Sequence, residues 1–134
     1  MLSPSDGEPK WINRHALLLK HAESLRLFGG AEGLRDEGML ESALARPVNA
    51  WSYRGEERIA WLAAAYAFGL SRNPPFIDGN KRSAFIAYMG FLKLNGYNLT
   101  ASQPEAYRTM IALAAGAMSE DEFAGWIELN ISAR

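Results

Sequence analysis

The sequence predicts an all-α fold, a compact helical bundle of about six helices. Apolar residues recur at helical spacing in several segments, whereas the strict alternation expected of half-buried strands is scarce. Two Ser-x-x-Glu patterns, at residues 102–105 and 119–122, are typical of capping boxes that open a helix. We expect at most a short pair of strands, near Tyr53 or at residues 97–100.

The N-terminal half contains two predicted helices. Residues 11–28 carry apolar side chains at helical intervals, and Gly29-Gly30 then supplies the left-handed ending that helices favour. Residues 36–38 lead into a second, short amphipathic segment that contains Leu40 and Leu44. We expect this segment to stop before Pro47, because the residue preceding a proline is biased away from the helical conformation.

The next two predicted helices are the most apolar parts of the chain. Residues 56–72 are rich in Ala, Leu and Trp, and the Asn-Pro-Pro at 73–75 cannot continue a helix. Residues 80–95 are apolar almost all round. Because a helix that is apolar on every face is usually buried, we expect 80–95 to be the central helix of the bundle. The two capping boxes open the last helices.

Composition excludes several classes of protein. The chain of 134 residues has 14 Lys+Arg against 15 Asp+Glu. It therefore lacks the net positive charge that favours binding to nucleic acid or an anionic membrane. It has no cysteine, so disulfides and thiolate sites are excluded. No apolar run is long enough to cross a membrane. We expect a flexible lead-in at residues 1–10 and one soluble, cytoplasmic domain at 11–134.

One loop carries a concentration of chemically capable residues, at positions 78–82. Backbone N–H groups at a helix start attract anions, and Gly79 lets the backbone approach a phosphate. Lys81 and Arg82 add a point charge and a planar fork for phosphate oxygens, with Asn80 as an amide donor. Asp78 is then the natural carboxylate for Mg²⁺. The same residues also suit a plain polar helix cap, since Asp-Gly-Asn is a common turn composition.

The motif loop resembles a known signature. Residues 75–82, Pro-Phe-Ile-Asp-Gly-Asn-Lys-Arg, are similar to the Fic/Doc (Fido) pattern His-x-Phe-x-(Asp/Glu)-(Gly/Ala)-Asn-(Gly/Lys)-Arg. Lys81, and Phe85 where Fic members have a second Arg, make the chain more similar to the Doc (death-on-curing) toxin branch. Residues 29–44 and 92–97 also resemble the family, so the likeness covers nearly the whole domain.

The resemblance implies a function. Doc-type members are ATP-dependent protein kinases that phosphorylate a threonine of elongation factor Tu and so arrest translation. They are usually paired with a Phd-like antitoxin. Carried onto this chain, the resemblance makes Asp78 the catalytic carboxylate that holds Mg²⁺. Four residues would be catalytic or would bind the phosphates of ATP: Gly79, Asn80, Lys81 and Arg82. Arg72, just before the loop, matches a basic residue common in Doc members and would also bind the phosphates of the nucleotide.

The sequence departs from the family at one critical position. Pro74 stands where the motif histidine acts as general base, and proline has neither a titratable group nor an N–H. Because general-base catalysis contributes about 10²–10⁴-fold, we expect phosphate transfer to be very weak. Pro74 could be an inactivating change in a cloned copy of a toxic gene. Alternatively, the chain is a non-catalytic pseudo-toxin that binds antitoxin or nucleotide. AMP transfer, as in Fic enzymes, is a third hypothesis.

The remaining histidines and aromatics favour structural roles. His15 and His21 lie six positions apart, about 240° around a helix, so they cannot share a face and are expected to be ordinary packing or surface residues. We expect Phe76 to point inward beneath the phosphate site. Trp51 and Tyr53 are expected in a loop, where they could touch a target or the antitoxin. Trp61 and Trp126 are expected in the core.

Overall fold

Helices dominate the computed structural model, which describes residues 7–134. Six helices and two short strands are found within that range. In chain order they are α1 (Arg14–Phe28), α2 (Glu37–Arg54), α3 (Ile59–Arg72), α4 (Asn80–Leu94), β1 (Tyr97–Leu99), α5 (Gln103–Ala114), α6 (Glu120–Leu129) and β2 (Ile131–Ala133). The predicted all-α class and number of helices are confirmed.

The centre of the bundle is the pair α3 and α4. Helix α3 packs against α2, α4 and α6, and nine of its residues are buried. Five of its residues are alanine, so neighbouring helices can approach it closely. The approach of α2 to α3 is close at Gly69, because a Cβ there would lie 3.1 Å from the Cα of Ala43 on α2. Helix α4 contributes six buried residues, so the motif helix belongs to the core while its other side lies nearer the surface.

Helix α2 differs from the prediction, because it does not stop before Pro47. It runs to Arg54 with Pro47 inside it, and Gly55 ends it in a left-handed conformation (φ +68°). An interior proline costs about 3 kcal/mol. The buried side of α2, which includes Pro47 and Ala50, packs on α3 and offsets that cost. The tertiary contact therefore overrides the local signal.

The predicted loop at Trp51 and Tyr53 is consequently wrong, because both residues lie in the last turn of α2. Trp51 is half-buried and meets the ring of Trp11 edge-on at 6.3 Å. Tyr53 is exposed. The two expected core tryptophans, Trp61 and Trp126, are half-buried against the core.

Both ends of the described chain are fastened near the end of α4. Lys10 N–H donates to the side-chain oxygen of Asn95 at 2.8 Å, and the Asn95 amide donates back to the Lys10 carbonyl at 2.9 Å. Strands β1 and β2 pair antiparallel just beyond, with Asn98 opposite Ser132. The last part of the expected lead-in is thus held in place, whereas residues 1–6 lie outside the described residues. Only the first strand of the pair was predicted.

Helix caps follow the sequence patterns closely. Ser119 and Glu122 form a complete capping box, in which each side chain accepts a hydrogen bond from the other residue's backbone N–H. Ser102 accepts from the backbone N–H of Glu105, which is half of the same arrangement. Among the described helices, none combines the length and apolarity needed to cross a membrane.

Candidate phosphate-binding site

The motif loop between α3 and α4 begins as an extended segment that pairs with the connection between α1 and α2. Leu34 and Phe76 form an isolated antiparallel bridge. The N–H of Ile77 donates to the carbonyl of Gly33 at 3.1 Å, which extends this pairing. The backbone of the loop is therefore fixed by a segment that lies more than forty residues earlier in the chain.

Asn80 braces the loop from inside. Its side-chain oxygen accepts from Phe76 N–H at 2.9 Å, and its amide donates to the Phe76 carbonyl at 3.0 Å. Phe76 is buried, which confirms that it points inward beneath the site. The sequence suggested the Asn80 side chain as a phosphate donor, but the structure commits both of its polar atoms to the backbone of Phe76. What Asn80 can offer to an anion is its backbone N–H and the second N–H of its side-chain amide.

His21, on α1, lies directly under the loop and was missed as a site residue. It is buried, its ring stacks on Phe76 with 3.7 Å between centroids, and its Nε2 lies 2.8 Å from the carbonyl oxygen of Asp78. One signal could have found it, because Leu17 and Leu25 flank it at four-residue spacing and both are buried. That spacing places His21 on the inner face of α1. His15 is exposed, as expected.

The N-terminus of α4 presents unpaired backbone donors. Gly79 precedes the helix in the left-handed conformation (φ +75°), which a residue with a side chain rarely adopts. Ser83 N–H is the first to pair in the usual helical way, to the Gly79 carbonyl at 3.0 Å. The backbone N–H groups of residues 80–82 have no acceptor in the described part of the chain. These donors and the positive end of the helix dipole suit an anion.

Two cations flank these donors. Within residues 7–134, neither Lys81 nor Arg82 has a carboxylate within 4.0 Å, so their charges are not neutralised there. The Arg82 guanidinium lies 4.3 Å from the ring centre of Phe28, which steadies it by a cation–π contact. A cavity of about 310 Å³ opens at this point. It is lined by Ile77, Asp78, Gly79, Asn80, Lys81, Arg82 and Tyr107.

Asp78 carries the carboxylate of the site. Its Oδ1 accepts from the N–H of Gly79 at 2.9 Å, and its Oδ2 accepts from the N–H of Ala31 at 3.3 Å. Gly30 leaves room for this arrangement, because a Cβ there would lie 3.1 Å from Asp78 Oδ2. Gly30, just after the end of α1, thus leaves room for the carboxylate that the N–H of Ala31 orients.

The surroundings of Asp78 fit a magnesium ion held mainly by a nucleotide. The side chain is exposed, and each carboxylate oxygen keeps a lone pair beyond the hydrogen bond that it accepts. Residues 7–134 contain no group of three or more His, Asp or Glu side chains that could enclose a metal. Mg²⁺ commonly takes one or two carboxylates and completes its coordination with phosphate oxygens and water. A single exposed carboxylate beside a phosphate site matches that mode.

Pro74 stands at the entrance to the motif, half-buried. Its carbonyl accepts from the guanidinium of Arg35, and the N–H of Arg35 donates to the carbonyl of Pro75 at 2.7 Å. Position 74 is therefore held firmly in place, but its ring offers no proton acceptor. Arg35 is a second residue that the sequence did not single out as part of the loop.

Arg72 is not among the residues that line the motif cavity. Its guanidinium lies 5.2 Å from the ring centre of Phe68 on its own helix and close to Gly116, in the turn after α5. The structure therefore does not bring Arg72 to the predicted phosphate-binding group.

A second cavity of about 490 Å³ adjoins the motif cavity, with Arg82 and Tyr107 lining both. Most of its other lining is apolar and includes Phe28, Phe85 and Ile86. Tyr107 comes from α5, and no local pattern links it to the motif. Such contacts come from the packing of α5 near α4, which sequence spacing does not encode.

Comparison with known proteins shows which family this chain resembles over most of its length. The model of the Fic/DOC family matches residues 10–92, more than half of the chain, including the motif loop. The protein named Toxin Doc from Mycolicibacterium smegmatis (strain ATCC 700084 / mc(2)155) is 41% identical over 75 residues, covering 55% of this chain and 58% of that protein. The protein named Protein kinase doc from Escherichia phage P1 is 28% identical over 108 residues, covering 81% of this chain and 85% of that protein. The chain belongs to the Fic/DOC family, in which it is similar to toxins of the Doc branch.

Proposed function

We propose that the motif cavity binds the phosphates of ATP. One observation carries this proposal: three unpaired backbone N–H groups at the start of α4 face the same cavity region as two unneutralised cations, Lys81 and Arg82. Phosphate oxygens need several N–H donors and positive charge at one place, which this arrangement supplies. Asp78 would hold Mg²⁺ together with the phosphates, and the ion would offset their negative charge.

We further propose that the family activity of this scaffold is phosphate transfer to a protein. The chain matches Protein kinase doc over most of both lengths, which supports this reaction class. The resemblance names a threonine of elongation factor Tu as the acceptor, so the outcome in a cell would be arrested translation. The residues of this chain would hold the nucleotide and orient its phosphates, while the acceptor hydroxyl would need a base to take its proton.

In our proposal that base is missing. The ring of Pro74 cannot accept a proton, so we expect transfer about 10²–10⁴-fold slower than with a histidine at this position. The same observation favours a second candidate function, a pseudo-toxin that binds nucleotide or antitoxin without catalysis. The phosphate donors, cations and carboxylate do not depend on position 74, so both candidates retain nucleotide binding.

Growth of a bacterial host after induction separates these two functions. The chain and its Pro74→His variant would be induced side by side without antitoxin, at equal levels of folded protein. Growth arrest by the histidine variant alone supports a competent toxin disarmed at Pro74. Adding Asp78→Ala to Pro74→His should restore growth, because the carboxylate that holds Mg²⁺ is lost. If the histidine variant leaves growth unchanged, the kinase proposal fails and the pseudo-toxin is favoured.

Mass spectrometry of purified elongation factor Tu decides which group is transferred. After incubation with the Pro74→His variant and Mg–ATP, a kinase adds one phosphate, whereas a Fic-like enzyme adds one nucleotide monophosphate.

Isothermal titration of the unmodified chain with Mg–ATP tests the phosphate site itself. Arg82→Ala should weaken binding about tenfold, as loss of a charge-assisted contact does; unchanged binding would contradict the assignment.

A Phd-like antitoxin is the partner that we propose. The similarity to a protein named Toxin Doc supports it, and α1 offers an apolar surface at its C-terminal end, where Leu27 and Phe28 are 69% and 67% exposed. Such side chains suit a helical segment that docks with its apolar face. Coexpression of a Phd-type antitoxin should prevent growth arrest by the Pro74→His variant, and continued arrest would contradict this partner.

A further inference from the structure

His21 and the motif loop share a contact that the activity described above does not use. The Nε2 of His21 lies 2.8 Å from the carbonyl oxygen of Asp78, fifty-seven residues later in the chain. A carbonyl oxygen can only accept a hydrogen bond, so Nε2 must carry the proton. His21 is therefore a donor to the loop.

The bonded carbonyl belongs to a peptide unit that is held at both ends. The Asp78 carbonyl and the Gly79 N–H lie in one rigid plane, because the peptide bond does not rotate freely. His21 holds the carbonyl, and Asp78 Oδ1 accepts from the Gly79 N–H at 2.9 Å. Rotation of this plane would break both bonds, so fixing the carbonyl also fixes the direction of the Asp78 carboxylate.

The surroundings of His21 also restrict the movement of its ring. The ring is 5% exposed and lies nearly parallel to Phe76, with 13° between the planes. The ring edge that carries Nε2 also lies close to Gly79, where a Cβ would lie 3.3 Å from Nε2. Because the ring is buried, water cannot readily replace its N–H as donor to the Asp78 carbonyl.

We propose that His21 is a positioning residue of the phosphate site. Through the Asp78 carbonyl it sets the plane of the 78–79 peptide, the orientation of the Asp78 carboxylate and the approach to the first N–H groups of α4. Its consequence for nucleotide binding rests on the proposed function, whereas its effect on the loop does not. His21 need not touch the nucleotide, so its role differs from that of the histidine absent at position 74.

Two substitutions separate hydrogen bonding from packing. His21→Phe keeps an aromatic ring against Phe76 but removes the donor. His21→Gln retains an N–H donor of similar reach and loses the ring stacking. His15→Phe is the matched control, because His15 lies on the same helix and is exposed. Thermal unfolding of each variant reports whether the chain still folds.

The first measurement is the solvent exchange rate of the Gly79 amide by NMR of the full chain, without nucleotide. We expect about tenfold faster exchange in His21→Phe, corresponding to the loss of one net hydrogen bond, with rates close to the parent in His21→Gln and His15→Phe. The second is the Kd for Mg–ATP, which should rise about tenfold in His21→Phe and recover in His21→Gln.

Three outcomes decide the proposal. Faster exchange and weaker binding in His21→Phe, both recovered by His21→Gln, support it. Gly79 exchange that is unchanged in folded His21→Phe overturns it, and so does an equal loss in both variants, which would show that only the ring matters. If the parent chain itself binds no Mg–ATP, the proposed function fails, and Gly79 exchange alone then decides whether His21 holds the loop.

Discussion

Replacing Asn80 by alanine tests whether this residue braces the motif loop. The substitution removes both hydrogen bonds to the backbone of Phe76, at 2.9 and 3.0 Å. Phe76 is 2% exposed, so its freed N–H and carbonyl have poor access to water. Two net hydrogen bonds at about 1 kcal/mol each, plus incomplete solvation of the freed groups, give a loss of about 2–4 kcal/mol.

This loss should be visible as a lower melting temperature. For a domain of this size, about 3–5 °C is lost per kcal/mol, so we expect Tm of Asn80→Ala to fall by about 6–20 °C. Asn49→Ala is the control, because Asn49 is exposed on α2, and we expect it to change Tm by less than about 2 °C. Calorimetry of both variants measures the difference. A Tm for Asn80→Ala within 2 °C of the parent would refute the brace and return Asn80 to the role of a phosphate ligand.

Three further predictions concern stability and loop geometry. Burial raises the pKa of Tyr66 to about 12, so the folded chain keeps this proton above pH 10 where the unfolded chain loses it. The contribution of Tyr66 to the free energy of unfolding is therefore complete below pH 10 and should fall by about 1.4 kcal/mol per pH unit between pH 10 and 12. Urea unfolding across this pH range should show a shallower fall of the unfolding free energy in Tyr66→Phe. Gly30→Ala should cost about 1–3 kcal/mol, because φ is +128° and the new methyl would meet Leu25 at 2.8 Å, and an unchanged urea midpoint would contradict this. Ser119→Ala removes the cap of α6 and should cost about 1 kcal/mol by thermal unfolding, whereas no change would mean that the capping box contributes nothing.

Local patterns predicted the helices well where short-range physics sets them. The capping box at Ser119 was readable because its partners lie three residues apart. The end of α1 at Gly29 was readable because glycine accepts a positive φ, although Gly29 (φ +85°, ψ 169°) is not in the left-handed helical conformation that the sequence predicted. Pro47 misled the prediction, because its local cost is offset by the packing of α2 on α3, a contact between residues distant in the chain.

The candidate site likewise combines residues that the sequence predicts with contacts that only the folded chain creates. The residues that carry charge and backbone donors are consecutive, so the sequence alone could predict positions 78–82 as the candidate phosphate site, and the family resemblance marked Pro74 as the position of the missing base. The contacts that hold these residues come from elsewhere. His21 lies under the Asp78 carbonyl, Ala31 donates to the Asp78 carboxylate, and Arg35 binds the carbonyl of Pro74. No spacing rule connects these positions to the motif.

The sequence by itself determined the all-α class, most helix boundaries, the family resemblance and the chemistry that the motif can offer. Each depends on neighbouring residues, on helical periodicity or on a contiguous motif. Only the tertiary structure decided that the Asn80 side chain is bonded to the backbone of Phe76, and that Arg72 lies beside Phe68 and not among the residues that line the motif cavity. A side chain's direction depends on which distant backbone groups need hydrogen-bond partners and which rings are near, and those are fixed only when the helices pack together.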